Sequence, residues 1–405
     1  MIKKLLIWGI GLRGEEAYRA VEMLRGYEVV AFSDNNKKFW GTKKFGKPVI
    51  EPQKLLSFEN LDGILIAANA VEEIRMQLKN LTELPVYQSV NDLWIQQISI
   101  DISGFCNAKC KWCVTGRNNR QKAGRQQMLY MSYDQFVKIY EHLYRNFMIE
   151  RDTEIMLYSW GEPFLNKDYI AIVEYLAEHR QRFVVSTNAS KVQLSDMKHT
   201  YKSCSIFIFS VPGFSQESYN HIHGFDFEKI KKNIRRINDN IHETGFHGDA
   251  SLSFHVYKFN EHEIVYAEEF AQSLGLNFHP YYPYFNGNSM MEQYLEGTLP
   301  EQMLTQAEEE LYLTHVNALL SKRPQNYRCF LERIISIDYN GNLVLCCAAD
   351  AGCEEYFWGS IFQVASYEEL IKTREKMLGC SSCKKCRQLG IDYWLAYNPA
   401  YKKGE

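Results

Sequence analysis

The chain has 405 residues, 46% of them hydrophobic, and a formal net charge of −3. That length suits two or three domains with a real core, and that charge offers no basic field for a nucleic-acid polymer. No apolar run approaches the ~20 residues of a membrane helix, so no membrane partner is expected. Residues 1–7 lack the apolar length and small-residue cleavage site of a secretion signal. Eleven cysteines, an odd count, fall mostly in two tight clusters. Such clustering favours metal binding over disulfides and predicts a reducing, cytoplasmic setting.

Residues 4–8 read as a short buried strand that runs into Gly9-Ile10-Gly11-Leu12-Arg13-Gly14. A helix follows with Ala17, Val21 and Leu24 on one face, then a strand over 28–32 ending at Ser33-Asp34. Strand, G-x-G-x-x-G, helix, strand and acid is the order of a dinucleotide-binding unit. Gly9, Gly11, Gly14 and Asp34 are its candidate nucleotide contacts; the alternative is a tight turn that binds nothing. Residues 63–68 form a further apolar strand.

A second module begins near Trp94. Residues 98–102 form a strand that leads straight into Cys106-Asn107-Ala108-Lys109-Cys110-Lys111-Trp112-Cys113. Ser132 with Gln135 predicts a capping box for a helix burying Phe136, Ile139, Tyr140 and Leu143. Then come a strand (153–158), a helix (168–179) and strands over 182–187 and 204–211. A helix carrying Ile230, Ile234, Ile237 and Ile241 follows, its basic residues Lys229, Lys231, Lys232, Arg235 and Arg236 forming a solvated face. A strand (250–256), a helix ending at Gly275 and a strand (276–281) close the series. Six alternating β/α units predict a partial (β/α)6 TIM-like barrel with ligands at the carboxyl ends of its strands. Residues 300–320 read as a helical connection. Cys204 reads as a small core residue. Tyr281, Tyr282 and Tyr284 suit either a substrate pocket or core filling, while His221, His223 and His255 form no recognisable ligand set.

C-x3-C-x2-C places three thiols within eight residues, enough to grip one soft metal centre. A [4Fe–4S] cube takes four cysteines, so three local thiolates leave one iron open, as a catalytic metal requires. Structural zinc wants a fourth ligand at similar spacing, and the next cysteine, Cys204, lies far along the chain.

With Trp112 before the last cysteine, this stretch resembles the cluster loop of the radical S-adenosylmethionine (radical SAM) enzymes, and the resemblance covers about residues 95–285. Tyr158-Ser159-Trp160-Gly161-Glu162-Pro163 looks like the family's Gly-Gly-Glu-Pro segment, with Trp160 in place of the first glycine. Ser186-Thr187-Asn188 is similar to the segment near the SAM ribose and carboxylate. Ser210-Val211-Pro212-Gly213 resembles a Ser-x-Asp-Gly stretch with Pro212 in the Asp place. His221-Ile222-His223-Gly224 falls where many relatives have an Arg-Gly pair, so an arginine for a carboxylate is missing. The resemblance implies a [4Fe–4S] cluster with an open iron on Cys106, Cys110 and Cys113. It implies SAM contacts at Trp160, Gly161, Glu162, Ser186, Asn188 and Ser210. It implies reductive cleavage of SAM, driven by a flavodoxin- or ferredoxin-type donor, to a 5′-deoxyadenosyl radical that abstracts hydrogen from a substrate. No catalytic residue is singled out.

Cys329, Cys346, Cys347, Cys353, Cys380, Cys383 and Cys386 form the second set, around a hairpin at Tyr339-Asn340-Gly341-Asn342. It resembles the SPASM and twitch extensions of radical SAM enzymes. The likeness implies one auxiliary [4Fe–4S] cluster on Cys329, Cys346, Cys383 and Cys386, with Cys380 the competing ligand. A four-cysteine zinc ribbon is the alternative. Cys347 and Cys353 are bystanders or substrate-side thiols.

Phe32-Ser33-Asp34-Asn35-Asn36 and Gly46-Lys47-Pro48-Val49-Ile50 are similar to the Rossmann-like front domains of bacterial nucleotide-sugar-modifying enzymes. That implies a nucleotide-linked or phosphate-bearing group at the helix after Gly11, with an NAD-type dinucleotide competing. The expected architecture is α/β: a Rossmann-like domain (1–93), a radical SAM partial barrel (94–325) and a small cysteine-rich cluster domain (326–405). The expected activity is dehydrogenation or epimerisation of a small-molecule, carbohydrate or nucleotide-linked substrate. A radical SAM peptide-modifying maturase and an NAD-binding regulator with zinc sites are the alternatives.

Overall fold

A computed structural model of the chain describes residues 2–58, 60–121, 129–313, 329, 331, 334–349 and 355–386. Cys353 and the end of the expected 300–320 helix lie outside the described residues. The protein is mixed α/β and divides into two units, Met1–Ile95 with Phe147–Glu150, and Gln96–Asn146 with Arg151–Glu405.

The first unit holds a six-stranded sheet of β1 (Lys3–Trp8), β2 (Tyr27–Ser33), β3 (Lys43–Lys44), β4 (Lys47–Ile50), β5 (Gly63–Ile66) and β6 (Val86–Tyr87). Their spatial order is β3-β4-β2-β1-β5-β6, and only the β3–β4 pair is antiparallel. The strands are apolar on both faces because helices cover both. Leu5 and Ile7 of β1 join one core cluster, with Ala17, Val21 and Val29, while Leu6 and Trp8 join another, with Ile64 and Ile74. The helix Leu12–Val21 starts directly after Gly11, as the glycine pattern predicts. Gly9 has φ +115°, and a Cβ on Gly14 would sit 2.0 Å from the Gly9 carbonyl oxygen. The turn closes only because neither residue carries a side chain.

The second unit is built on nine strands in one sheet. Six of them run in chain order: β7 (Gln97–Ile100), β8 (Glu154–Met156), β9 (Phe183–Thr187), β10 (Cys204–Val211), β11 (Asp249–His255) and β12 (Asn277–Tyr281). Each pairs in parallel with the next, so all their carboxyl ends point to one edge. Beyond β7 the sheet continues through β13 (Ile334–Ile337), β14 (Asn342–Val344) and β15 (Phe357–Ser360). β13 is parallel to β7, and the β13–β14 hairpin turns at Gly341, φ +83°. The cysteine-rich tail therefore extends the same sheet.

The helices follow the sequence reading where the apolar stripe is strong. Phe227–Glu243 buries Ile230, Ile234, Ile237 and Ile241, and Asp226 caps it by accepting from the Lys229 amide at 2.7 Å. Each such isoleucine contributes about 1.5–3 kcal/mol on burial. Ser132 caps Tyr133–Arg145 by accepting from the Gln135 amide. The connection from β9 to β10 carries no helix, against the strict alternation expected. The reason is a long-range contact: Asn240 accepts from the Ser195 amide and donates to its carbonyl, taking both backbone groups that a helix would need.

The glycine turn yields a prediction. Gly14→Ala forces a methyl against the Gly9 backbone and lowers stability by about 1–3 kcal/mol in a denaturant titration, whereas Gly11→Ala, with open space around it, changes it far less.

Candidate active site

The cysteine loop leaves the carboxyl end of β7 and is gripped from three directions. Asn119, in the helix Val114–Gln121, donates to the carbonyls of Cys106 and Ala108 at 2.6 and 2.7 Å. The Asn286 amide donates to the Trp112 carbonyl at 2.8 Å. Glu310, the last residue of the helix Glu301–Glu310, is buried and accepts from Trp112 Nε1 at 3.0 Å. Its other oxygen pairs with the Lys111 ammonium and lies 2.9 Å from His221 Nε2. Nothing in the sequence marks Glu310 as a site residue: nearly two hundred positions separate it from Trp112, with no motif between.

Tyr158 to Glu162 leave the end of β8. A Cβ on Gly161 would lie 1.3 Å from the Ser103 carbonyl oxygen, so glycine alone fits there. Asp101 accepts from the Trp160 amide at 3.0 Å, and the Glu162 amide donates to the Phe105 carbonyl at 2.9 Å. Trp160, standing where the resemblance has glycine, sends its indole N–H to the Ala349 carbonyl at 3.1 Å. Glu162 is 3% exposed. Its Oε1 accepts from Thr187 Oγ1 at 2.7 Å and from the Phe164 amide at 3.0 Å, and its Oε2 from the Asn188 amide at 2.8 Å. Glu162 thus fastens the end of β9 to the segment after β8. Asn188 in turn donates to Asn107 Oδ1 at 3.2 Å and points at Cys106 Sγ at 3.7 Å.

These residues share one cavity of about 200 Å³. Cys106, Cys110 and Cys113 line it, and so do Trp160, Gly161, Glu162, Ser186, Asn188 and Ser210. Tyr281 and Tyr284 line it as well, whereas Tyr282 stacks edge-on against Tyr312. His223 and His255 line the cavity too, although no ligand set is recognisable for them in the sequence. Among the described residues no three His, Cys, Asp or Glu side chains already form a metal-holding group. The donor chemistry nonetheless suits a soft cationic centre. Burial drives the Cys106 thiol well above the ordinary range, with Glu162 adding to the effect, and raises the Cys113 thiol as well. Buried thiols of this kind ionise when a metal takes their electron pairs.

The tail cysteines gather around β13 and β14. Cys329, Cys346 and Cys347 pack with Leu331, Ile334 and Ala348. Burial raises the Cys329 thiol to about 11, and Cys346 and Cys383 are near enough to add to it. Cys380 caps the helix Ser381–Lys385, accepting from the Cys383 amide at 3.4 Å, while Cys386 Sγ lies 3.2 Å from Asn288 Oδ1. Arg374, buried and unflagged by the sequence, donates to the Leu331 and Leu345 carbonyls and so joins the two segments that carry Cys329 and Cys346.

In the first unit, Asp34 Oδ2 accepts from the Ile10 amide at 3.3 Å and Oδ1 from the Asn36 amide at 2.8 Å. Asp34 therefore braces the glycine turn itself. A cavity of about 300 Å³ beside that turn is lined by Arg13, Glu16, Ala17, Ala67, Ala68 and Val71, among others.

Two outcomes follow from the electrostatics. Burial raises Glu162 from 4.5 to about 7, outweighing its three hydrogen bonds. Because the folded value lies above the unfolded one, the stability linked to this proton is full below about pH 4 and is lost as pH rises through about 7. Glu162→Gln removes that loss, so urea midpoints of the variant fall less between about pH 5 and about pH 8 than those of the parent. Glu310→Ala strands the Trp112 indole and the Lys111 ammonium and costs about 1–3 kcal/mol in the same measurement, whereas Glu310→Gln, keeping an acceptor for Trp112, costs less.

Residues 100–268 match the sequence profile of the Radical SAM superfamily, and residues 1–90 match one described as C2185-like, N-terminal. No curated protein matches the chain. Among solved structures, the chain is similar to SuiB of Streptococcus suis bound to its precursor peptide SuiA, at 15% identity and TM-score 0.45, over 79% of this chain and 82% of that one. It is similar to anSMEcpe with bound AdoMet at 14% identity and TM-score 0.45, over 73% and 87%. It is similar to BtrN in complex with AdoMet and 2-DOIA at 14% identity and TM-score 0.36, over 75% and 92%. No helix among the described residues is long and apolar enough to cross a membrane. With its cysteine loop, its Glu162 anchor and this profile match on the same strands, the chain carries a radical SAM domain over residues 100–268, the mark of an enzyme that works with a [4Fe–4S] cluster and S-adenosylmethionine.

Proposed function

We propose that this enzyme abstracts hydrogen from a carbohydrate or nucleotide-linked substrate, in a dehydrogenation or epimerisation, aided by one auxiliary [4Fe–4S] cluster in its tail. The observation that carries the proposal is the single cavity shared by Cys106, Cys110, Cys113 and the six residues expected to contact SAM. When bound, the cluster supplies the electron that splits the sulfonium of SAM into methionine and a 5′-deoxyadenosyl radical. The rest falls to the chain. Cys106, Cys110 and Cys113 would hold the cluster and leave one iron open for SAM. Glu162 fixes the backbone at Asn188, and Gly161 lets that segment approach Ser103, so the polar rim is set before SAM arrives. Trp112, packed edge-on against Phe285 at 5.7 Å, closes the apolar side against water.

Cys329, Cys346 and Cys383, with Cys386 or Cys380, would hold the auxiliary cluster, which suits reactions that move an electron to or from the substrate. The six parallel units are read as the partial barrel of this chemistry, and the front unit, with its glycine turn, as the holder of a nucleotide or phosphate. A flavodoxin- or ferredoxin-type protein is the expected reductant.

Anaerobically purified protein is expected to be brown and to hold about eight irons per chain, falling to about four in Cys106→Ala. Reduced protein with SAM is expected to release 5′-deoxyadenosine, and Cys106→Ala none. Colourless, zinc-loaded protein would sink the proposal. Binding of leader-type peptides but of no nucleotide sugar would move the substrate to the peptide class.

A further inference from the structure

The cavity has two chemically different sides. At the ends of β7, β8 and β9 it presents the cysteines, Gly161, Glu162 and Asn188; at the ends of β10, β11 and β12 it presents Ser210, His255 and Tyr281, with His223 nearby. The chemistry described so far leaves both histidines without a task. His223 is 3% exposed, and its Nδ1 has no hydrogen-bond partner among the described residues. His223 lines the cavity, and a buried imidazole nitrogen without a partner there marks a place where a ligand supplies one. His255 Nε2 lies 3.1 Å from Ser210 Oγ, and its ring packs 5.5 Å from that of Tyr281.

Charge narrows the ligand. Burial lowers His223 to about 3, with His255 adding to the effect, and lowers His255 to about 4, so both rings are neutral. No lysine or arginine is among the described residues that line the cavity. Its carboxylate, Glu162, already accepts on both oxygens. A phosphate or carboxylate would find no cation here. An alcohol finds what it needs, because a hydroxyl both donates and accepts, and so matches a neutral imidazole whichever nitrogen carries the proton. The aromatic faces of Tyr281 and Tyr284 suit the C–H side of a sugar ring.

We propose that His223, with His255, forms the subsite for an uncharged polyhydroxylated ring of the substrate, a ring hydroxyl bonding to His223 Nδ1. This deepens the function proposed above and rests on reading the cavity as its site.

The test uses cluster-loaded, SAM-bound protein under anaerobic conditions. The probes are UDP-glucose, UDP-galactose and UDP-N-acetylglucosamine, each against UDP alone in binding calorimetry. At least one nucleotide sugar is expected to bind more tightly than UDP. His223→Phe is expected to weaken that sugar by about tenfold, the worth of one buried hydrogen bond, while UDP is unaffected. His223→Asn, which keeps a polar group and controls for misfolding, is expected to recover part of the loss. Three sugars no tighter than UDP overturn the subsite, as does a sugar whose affinity survives His223→Phe. Loss of SAM binding in His223→Phe with sugar affinity intact also overturns it, by assigning the histidine to SAM. Release of 5′-deoxyadenosine by the parent protein separates the two failures: present, with no gain from sugar, only the subsite falls; absent, the function itself falls.

Discussion

The site depends on one constraint, the pairing of β7 to β12 in parallel and in chain order. Parallel pairing with crossovers sends every strand out at the same edge. The register then decides which side chains meet. β8 stands between β7 and β9, so Glu162 lies between the cysteine loop and Asn188 and can bind to both. β10 and β11 are in register at Ser210↔Ser253, two positions before His255, which brings the Ser210 hydroxyl beside that imidazole. A one-residue slip would turn each of these side chains to the other face. The strongly apolar sequences of β9 and β10 are therefore what makes the polar edge possible.

The electrostatics of that edge are unbalanced, and the imbalance is informative. Asp101 and Glu162 are both raised to about 7 by burial, although Asp101 accepts from three backbone N–H groups and Glu162 from two and a hydroxyl. Cys106 feels Glu162 and Cys113 as further negative neighbours. Of the cations nearby, Lys111 is paired with Glu310, and Arg117 is close enough to Cys113 to lower its thiol without overcoming burial. Oxygen and sulfur ligands crowded together in a dry site are stabilised by a positive centre in their midst. The iron core of a cluster would supply that centre, and the protein supplies the dry surroundings that make its charge felt.

Much of this fold was legible because burial leaves a period in the sequence. β10 was placed to the residue, and the isoleucines of Phe227–Glu243 read directly as a core stripe. The cysteine motif and Gly161-Glu162 were legible because spacing within a short segment survives folding. What escaped are single residues that act across long separations. Glu310 reaches back to Trp112, and Arg374 reaches Leu331 and Leu345, with nothing in their neighbours to announce it. The irregular β9–β10 connection escaped for a related reason. Its conformation is set by Asn240, on a helix that follows in the chain. His223 escaped because its signature is a missing partner, which no sequence displays.

Trp160 joins the two cysteine regions. A glycine in its place would leave the Ala349 carbonyl without the indole N–H, and Ala349 lies only three residues beyond Cys346. The same stretch is tied to the sheet from below, where the Asp101 amide donates to the Ile337 carbonyl and the Asp101 carboxylate accepts from the Trp160 amide. Tyr356 is close enough to Asp101, Cys346 and Cys347 to feel the charge of each. The tail is thus bonded to the cavity wall through β7, β13 and one indole. A redox centre held on such a tail has its position fixed relative to whatever occupies the cavity. A fixed distance is what an electron transfer timed to a short-lived substrate radical requires. The departure from glycine at Trp160 therefore has a physical account: the indole gives the cavity wall a hydrogen bond to the cysteine-bearing turn that follows β14.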